Sequence, residues 1–137
     1  MAGKRVERTR CGGTLTEAQF RSWVRSQLRK LSQKWKPLYS SKKNKRLEAT
    51  DIDRERWSDR IKYVWECEEC KDRVPDSLIC VDHIVPCGSL RDIERDAGPF
   101  LLRMLCEEDG FQMLCKKCHK VKTMEEKAEA KRLREEE

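Results

Sequence analysis

The chain has 137 residues, enough for one domain or for a small core with an extension. Charged residues make up 41% of it and hydrophobic residues only 37%, which argues against a large buried core. Eight cysteines are the available supplement. No apolar run approaches the roughly 20 residues of a membrane-spanning helix, so no membrane partner is expected. The first ten residues are basic with no apolar stretch after them, unlike a secretory signal. A cytoplasmic, reducing location follows as the expectation, and there clustered cysteines hold metal more often than they form disulfides.

The net charge of +6 is unevenly placed. Residues 1–50 carry 14 Lys/Arg against 3 Asp/Glu, residues 51–100 carry 8 against 13, and the remainder balances at 9 and 9. A positive arm on a more acidic body suggests a polyanionic partner, with nucleic acid as the default.

In chain order, residues 1–13 read as a flexible basic lead. Thr14 with Glu17 fits a capping box. Phe20, Trp23, Val24, Leu28, Leu31 and Trp35 then recur at helical spacing, predicting an amphipathic helix over about 15–36, ended by Pro37. Arg21, Arg25 and Arg29 fall largely off that stripe and could lie along phosphates. Ser40 to Arg46 reads as a basic linker whose Lys42, Lys43, Lys45 and Arg46 are further candidates for nucleic-acid contact. A short helix is expected within 47–60, strands over 61–67 and 77–85, and a helix over 98–105 with Pro99 in its first turn. An apolar segment at 111–114 precedes a final helix that begins beyond Cys118 and runs into a Glu/Lys/Arg/Ala tail. The division expected is a basic helical extension (1–60), a core (61–124) and a charged helical tail (125–137).

Two C-x2-C turns, Cys67/Cys70 and Cys115/Cys118, each offer two thiolates from one tight bend. Together they would close a tetrahedral shell around a structural Zn²⁺, with no open coordination position. Such an ion contributes on the order of 10 kcal/mol to the folding of small modules. Cys11, Cys80, Cys87 and Cys106 are expected to stay metal-free.

Both histidines sit beside these features. His83 stands in Asp82-His83-Ile84-Val85-Pro86, and His119 directly follows the second turn. With Phe111-Gln112-Met113-Leu114-Cys115-Lys116-Lys117-Cys118-His119 through Lys122-Thr123, residues 61–123 resemble the HNH nucleases of the ββα-metal superfamily. They look most like the small phage-type members held by a four-cysteine zinc. The resemblance implies an α+β fold with a ββα-metal core and a metal-dependent DNA endonuclease or nicking activity.

His83 would be the general base, a task suited to an imidazole that exchanges protons near neutral pH. Asp82 and His119 would hold one divalent ion, Mg²⁺ or Mn²⁺, that stabilises charge on the phosphate. DNA is the implied substrate, the phage DNA-packaging terminase a partner of some relatives, and a monomer or weak dimer the implied state. In a phage-encoded protein the location would be the host cytoplasm.

Adjacent strand residues point to opposite faces, so Asp82 and His83 can share a site only where the strand ends or bends. One departure stands out: where the family carries Asn two residues before the Gln, this chain has Gly110, and its one asparagine is Asn44. A backbone carbonyl or Gln112 would then brace the site. The alternative is a catalytically weak or inactive zinc module that binds nucleic acid or recruits a protein.

Overall fold

The structure, a computed structural model, describes residues 3–136. Met1 and Ala2 of the basic lead and Glu137 of the tail lie outside the described residues. The fold is mixed α+β. Its elements begin with β1 (Arg8–Arg10), β2 (Leu15–Thr16), α1 (Glu17–Ser32), α2 (Lys36–Lys45), β3 (Leu47–Glu48) and α3 (Asp51–Arg56). They continue with β4 (Tyr63–Glu66), β5 (Arg73–Val74), β6 (Ile79–His83), α4 (Ile93–Met104), β7 (Phe111–Cys115) and α5 (Lys116–Glu136). Among the described residues no helix is long and apolar enough to cross a membrane.

The chain forms two compact units, and they cut it elsewhere than the charge pattern suggested. The first comprises the residues up to Trp35 together with Cys87–Leu105. The second comprises Lys36–Pro86 and the chain from Cys106 onward. Residues 36–60 therefore belong with the cysteine turns, and residues 87–105, sequentially inside the expected core, belong with the N-terminal helix.

In the first unit the expected flexible lead is instead a β1–β2 hairpin. Its turn places Cys11, Gly12 and Gly13 at positive φ, which glycine adopts without strain. The capping box is also shifted: Thr16 and Gln19 form it, with Gln19 N donating to Thr16 Oγ1 at 3.1 Å. Glu17 is drawn away by Thr9 and Arg10, at 2.7 and 2.9 Å, and those bonds hold its carboxyl below its usual range. The first helix stops at Ser32, and Pro37 opens α2 instead of closing α1, consistent with proline's place in a first turn.

Val24 and Leu28 of α1 pack on a small apolar cluster of Leu90, Phe100 and Met104. Trp23 and Leu31 of the same stripe stay exposed. The α4 helix starts earlier than expected, capped by Asp92, whose side chain accepts from Arg95 N at 3.2 Å. Pro99 consequently sits in the helix interior, where its missing N–H forfeits one ladder bond.

The second unit has a three-stranded antiparallel sheet, β3-β4-β5, and a separate antiparallel β6–β7 pair whose strands are joined through α4. Its core joins Trp65, Cys67, Val74, Ile79, Met113, Leu114 and Cys115. The presumed basic linker is the α2 helix. Trp65 Nε1 donates to its Lys42 carbonyl at 2.8 Å, and Lys45 Nζ donates to the Phe111 carbonyl at 3.0 Å. The expected short helix is α3, capped through Thr50 and Asp53. Asp53 is buried, and a two-point bond from Arg73 of β5, followed by the Thr50 N–H, holds its carboxyl far below the usual range. The last helix starts at Lys116, so it includes Cys118 instead of following it.

Candidate metal centre and active site

The first cysteine pair sits where β4 ends. Cys67 N donates to Asp72 O at 2.8 Å and Lys71 N to Cys67 O at 2.9 Å, closing a tight turn with Lys71 at φ 66°. Lys71 Nζ donates to Glu68 O at 2.8 Å within that turn. The second pair straddles the junction of β7 and α5. Cys115 is the last strand residue, and Cys118 lies three residues on, in the first helical turn.

Glu68 ties the two pairs together. Its N–H donates to Met113 O at 2.8 Å, and its carboxylate accepts from Met113 N at 2.5 Å. All four sulfurs then lie within 4.8 Å of one another, the only such ligand group among the described residues. Cys70 and Cys115 are 3.8 Å apart at sulfur. A tetrahedral ion with metal–sulfur bonds of about 2.3 Å sets sulfurs about 3.8 Å apart, so the group fits a four-thiolate metal ion.

The electrostatics of the group also call for a cation. Burial raises the Cys67 thiol, but N–H groups of Cys115, Cys70 and Glu69 outweigh it and bring the thiol to about 7. Cys118 is pushed up to about 12, first by its bond to Cys115, then by burial and the remaining sulfurs. Four thiolates this close repel one another unless a positive ion joins them.

At the other end of the β6–β7 pair lies a second cluster. The register pairs Ile79 with Cys115, Asp82 with Gln112 and His83 with Phe111. Asp82 is largely buried, with 14% of its side chain exposed, and three groups surround its carboxylate. Gln112 Nε2 donates to its Oδ2 at 2.9 Å. The Lys122 ammonium contacts the same oxygen and also donates to the His83 carbonyl at 2.5 Å. His119 Nε2 stands 3.6 Å from Oδ1. Two bonds of about 2.1 Å to a shared ion span at most about 4.2 Å, so Asp82 and His119 lie within one ion's reach.

His83 leaves the strand pair differently. By strand alternation its side chain takes the face opposite Asp82. Its ring packs on Phe111 with centroids 4.9 Å apart. Asp82 and His83 both lie within β6, which ends at His83. The segment beyond is braced by Ile84 N donating to Gly110 O at 3.0 Å. Gly110 has no room for a side chain: a Cβ there would lie 2.6 Å from Cys106 Sγ. The Gly110 carbonyl thus holds the chain just past His83, Gln112 and Lys122 contact Asp82, and Asn44 bonds Glu108 at 2.5 Å.

The basic candidates differ in what they are free to do. Arg21 donates to the Arg91 carbonyl at 2.8 Å. Lys42 pairs with Asp76, Lys45 pairs with Glu68 at 3.0 Å, and Arg46 stacks 4.1 Å over the Tyr63 ring. These four serve the protein's own packing. Arg25, Arg29 and Lys43 are exposed and in no ion pair among the described residues.

Lys122 had no role assigned from sequence. Its signal was the spacing His119, Lys122, Glu126, which puts all three along one side of a helix. Comparison of the chain with protein-family models, curated proteins and solved structures finds no match.

Proposed function

We propose that the second unit is the catalytic body of a metal-dependent HNH-type DNA endonuclease or nicking enzyme, with zinc as the ion of the four-cysteine group. The observation that carries this reading is the 3.6 Å approach of His119 to Asp82 at one end of the β6–β7 strand pair, whose other end carries Cys115 of the four-cysteine group. Asp82 and His119 would hold the divalent ion, which supplies positive charge against the phosphate and the departing 3′ oxygen. Gln112 fixes the Asp82 carboxylate, leaving Oδ1 toward His119. The Gly110 carbonyl fixes the chain just past His83, whose imidazole takes a proton from the attacking water. Cleavage would leave 5′-phosphate and 3′-hydroxyl ends. Of the basic residues expected to meet DNA, Arg25, Arg29 and Lys43 are left exposed to hold its backbone without reading sequence.

A second reading, a zinc module that binds without cutting, draws on the Lys122–Asp82 contact, which already satisfies the carboxylate as an ordinary ion pair. Relaxation of supercoiled plasmid in Mg²⁺ or Mn²⁺ separates the two. Wild type should nick, and His83→Ala should nick about 10² to 10⁴ times more slowly while keeping its zinc. No nicking by wild type in either ion would favour the binding module. Equal nicking by the variant would remove His83 as the base.

A further inference from the structure

Asp82 meets a lysine ammonium and an amide donor as well as the His119 ring. Its Oδ2 is taken by both Lys122 and Gln112, and only Oδ1 turns to His119. Lys122 is itself half-buried and has a second acidic neighbour. Glu126, one helical turn along α5, lies 3.5 Å from its nitrogen and is 40% exposed. The ammonium thus stands between an inner carboxylate and an outer one.

We infer that Lys122 is a resident counter-cation of the Asp82 site, which a divalent ion must displace toward Glu126. The inference rests on the reading of Asp82 and His119 as ion ligands. While Lys122 holds Asp82, the carboxylate is neutralised, and a dication arriving at Oδ1 meets a positive charge across a single carboxyl group. When the ammonium moves to Glu126, the full charge of Asp82 becomes available. The same movement releases the His83 carbonyl, so ion entry is coupled to the backbone of the catalytic histidine. Lys122 is a positioning residue in this scheme: it sets how tightly the ion is held and keeps the site closed to weak binders.

The test is Mn²⁺ binding to the zinc-loaded protein, read as free Mn²⁺ by electron paramagnetic resonance, without DNA. Lys122→Gln should bind Mn²⁺ on the order of tenfold more tightly than wild type, because the competing charge is gone. Glu126→Gln, which leaves Lys122 in place and removes only its alternative partner, should bind about threefold more weakly. Asp82→Asn should abolish the site, fixing its location. If Lys122→Gln binds no more tightly, or Glu126→Gln binds as tightly as wild type, the displacement is overturned while the nuclease reading stands. If Lys122→Gln fails to fold, Glu126→Gln alone decides. Absence of any second Mn²⁺ site in wild type and both variants overturns this inference and the ion-binding reading together.

Discussion

The two compact units achieve stability by different means. The first is held by a small apolar cluster, with Leu90, Phe100 and Met104 buried beneath Val24 and Leu28. The second has a larger apolar cluster, and its cysteines are part of it: Cys67 and Cys115 are themselves buried members of the core. In the first unit, removing one side chain opens a cavity. In the second, removing one cysteine breaks a four-thiol group that could hold an ion joining β4, β7 and α5 at a single point. A short, highly charged chain gains more from one such crosslink than from a few further methyl groups.

The largest test of this contrast is Cys118→Ser, or chelation of the wild type. Either should cost the second unit most of the metal's contribution, on the order of 10 kcal/mol, and abolish its cooperative melting. Elemental analysis and hydrogen exchange over β4, β7 and α5 report both effects. Retention of the wild-type transition without metal would show that the apolar cluster suffices. Next in size is Phe100→Ala, expected to cost the first unit about 3 to 5 kcal/mol, with exchange rising in α1 and α4 while metal content stays unchanged.

Gly110→Ala should cost about 1 to 3 kcal/mol in the second unit, since the added Cβ would meet the Cys106 side chain at 2.6 and 2.9 Å. Cys106→Gly in the same chain should recover most of that loss in a denaturant titration. No recovery would place the strain elsewhere. The smallest effect is expected where nothing is packed. Replacing Arg25 and Arg29 together by Ala should leave both melting transitions unchanged. It should also reduce the slope of log affinity for DNA against log salt by about 1.8, roughly 0.9 for each lost phosphate contact. An unchanged slope would remove α1 from the proposed DNA-binding surface.

Features governed by local spacing were legible in the residues. A C-x2-C pair brings two thiols together through one turn whatever surrounds it, so the four-cysteine group could be read from Cys67, Cys70, Cys115 and Cys118 alone. The amphipathic stripe of α1 was legible for the same reason, although its cap was misplaced by two residues because Glu17 prefers Arg10 and Thr9 to the helix end. The α2 helix was not legible. Its lysines look like a solvated linker until Trp65, Asp76, Glu68 and Phe111 supply partners from strands, turns and loops later in the chain.

By itself the sequence determined the four-cysteine group, the charge asymmetry and the approximate positions of strands β4 and β6 and of helices α1, α3, α4 and α5, because each depends on neighbours within a few turns of chain. The tertiary structure alone decided which segments form a unit, that Arg21, Lys42, Lys45 and Arg46 are spent on internal contacts, and that Lys122 meets Asp82. Those outcomes join residues some 20 to 70 positions apart, and no local periodicity encodes such pairings. They follow from which buried charges and carbonyls must find partners once the chain has closed on itself.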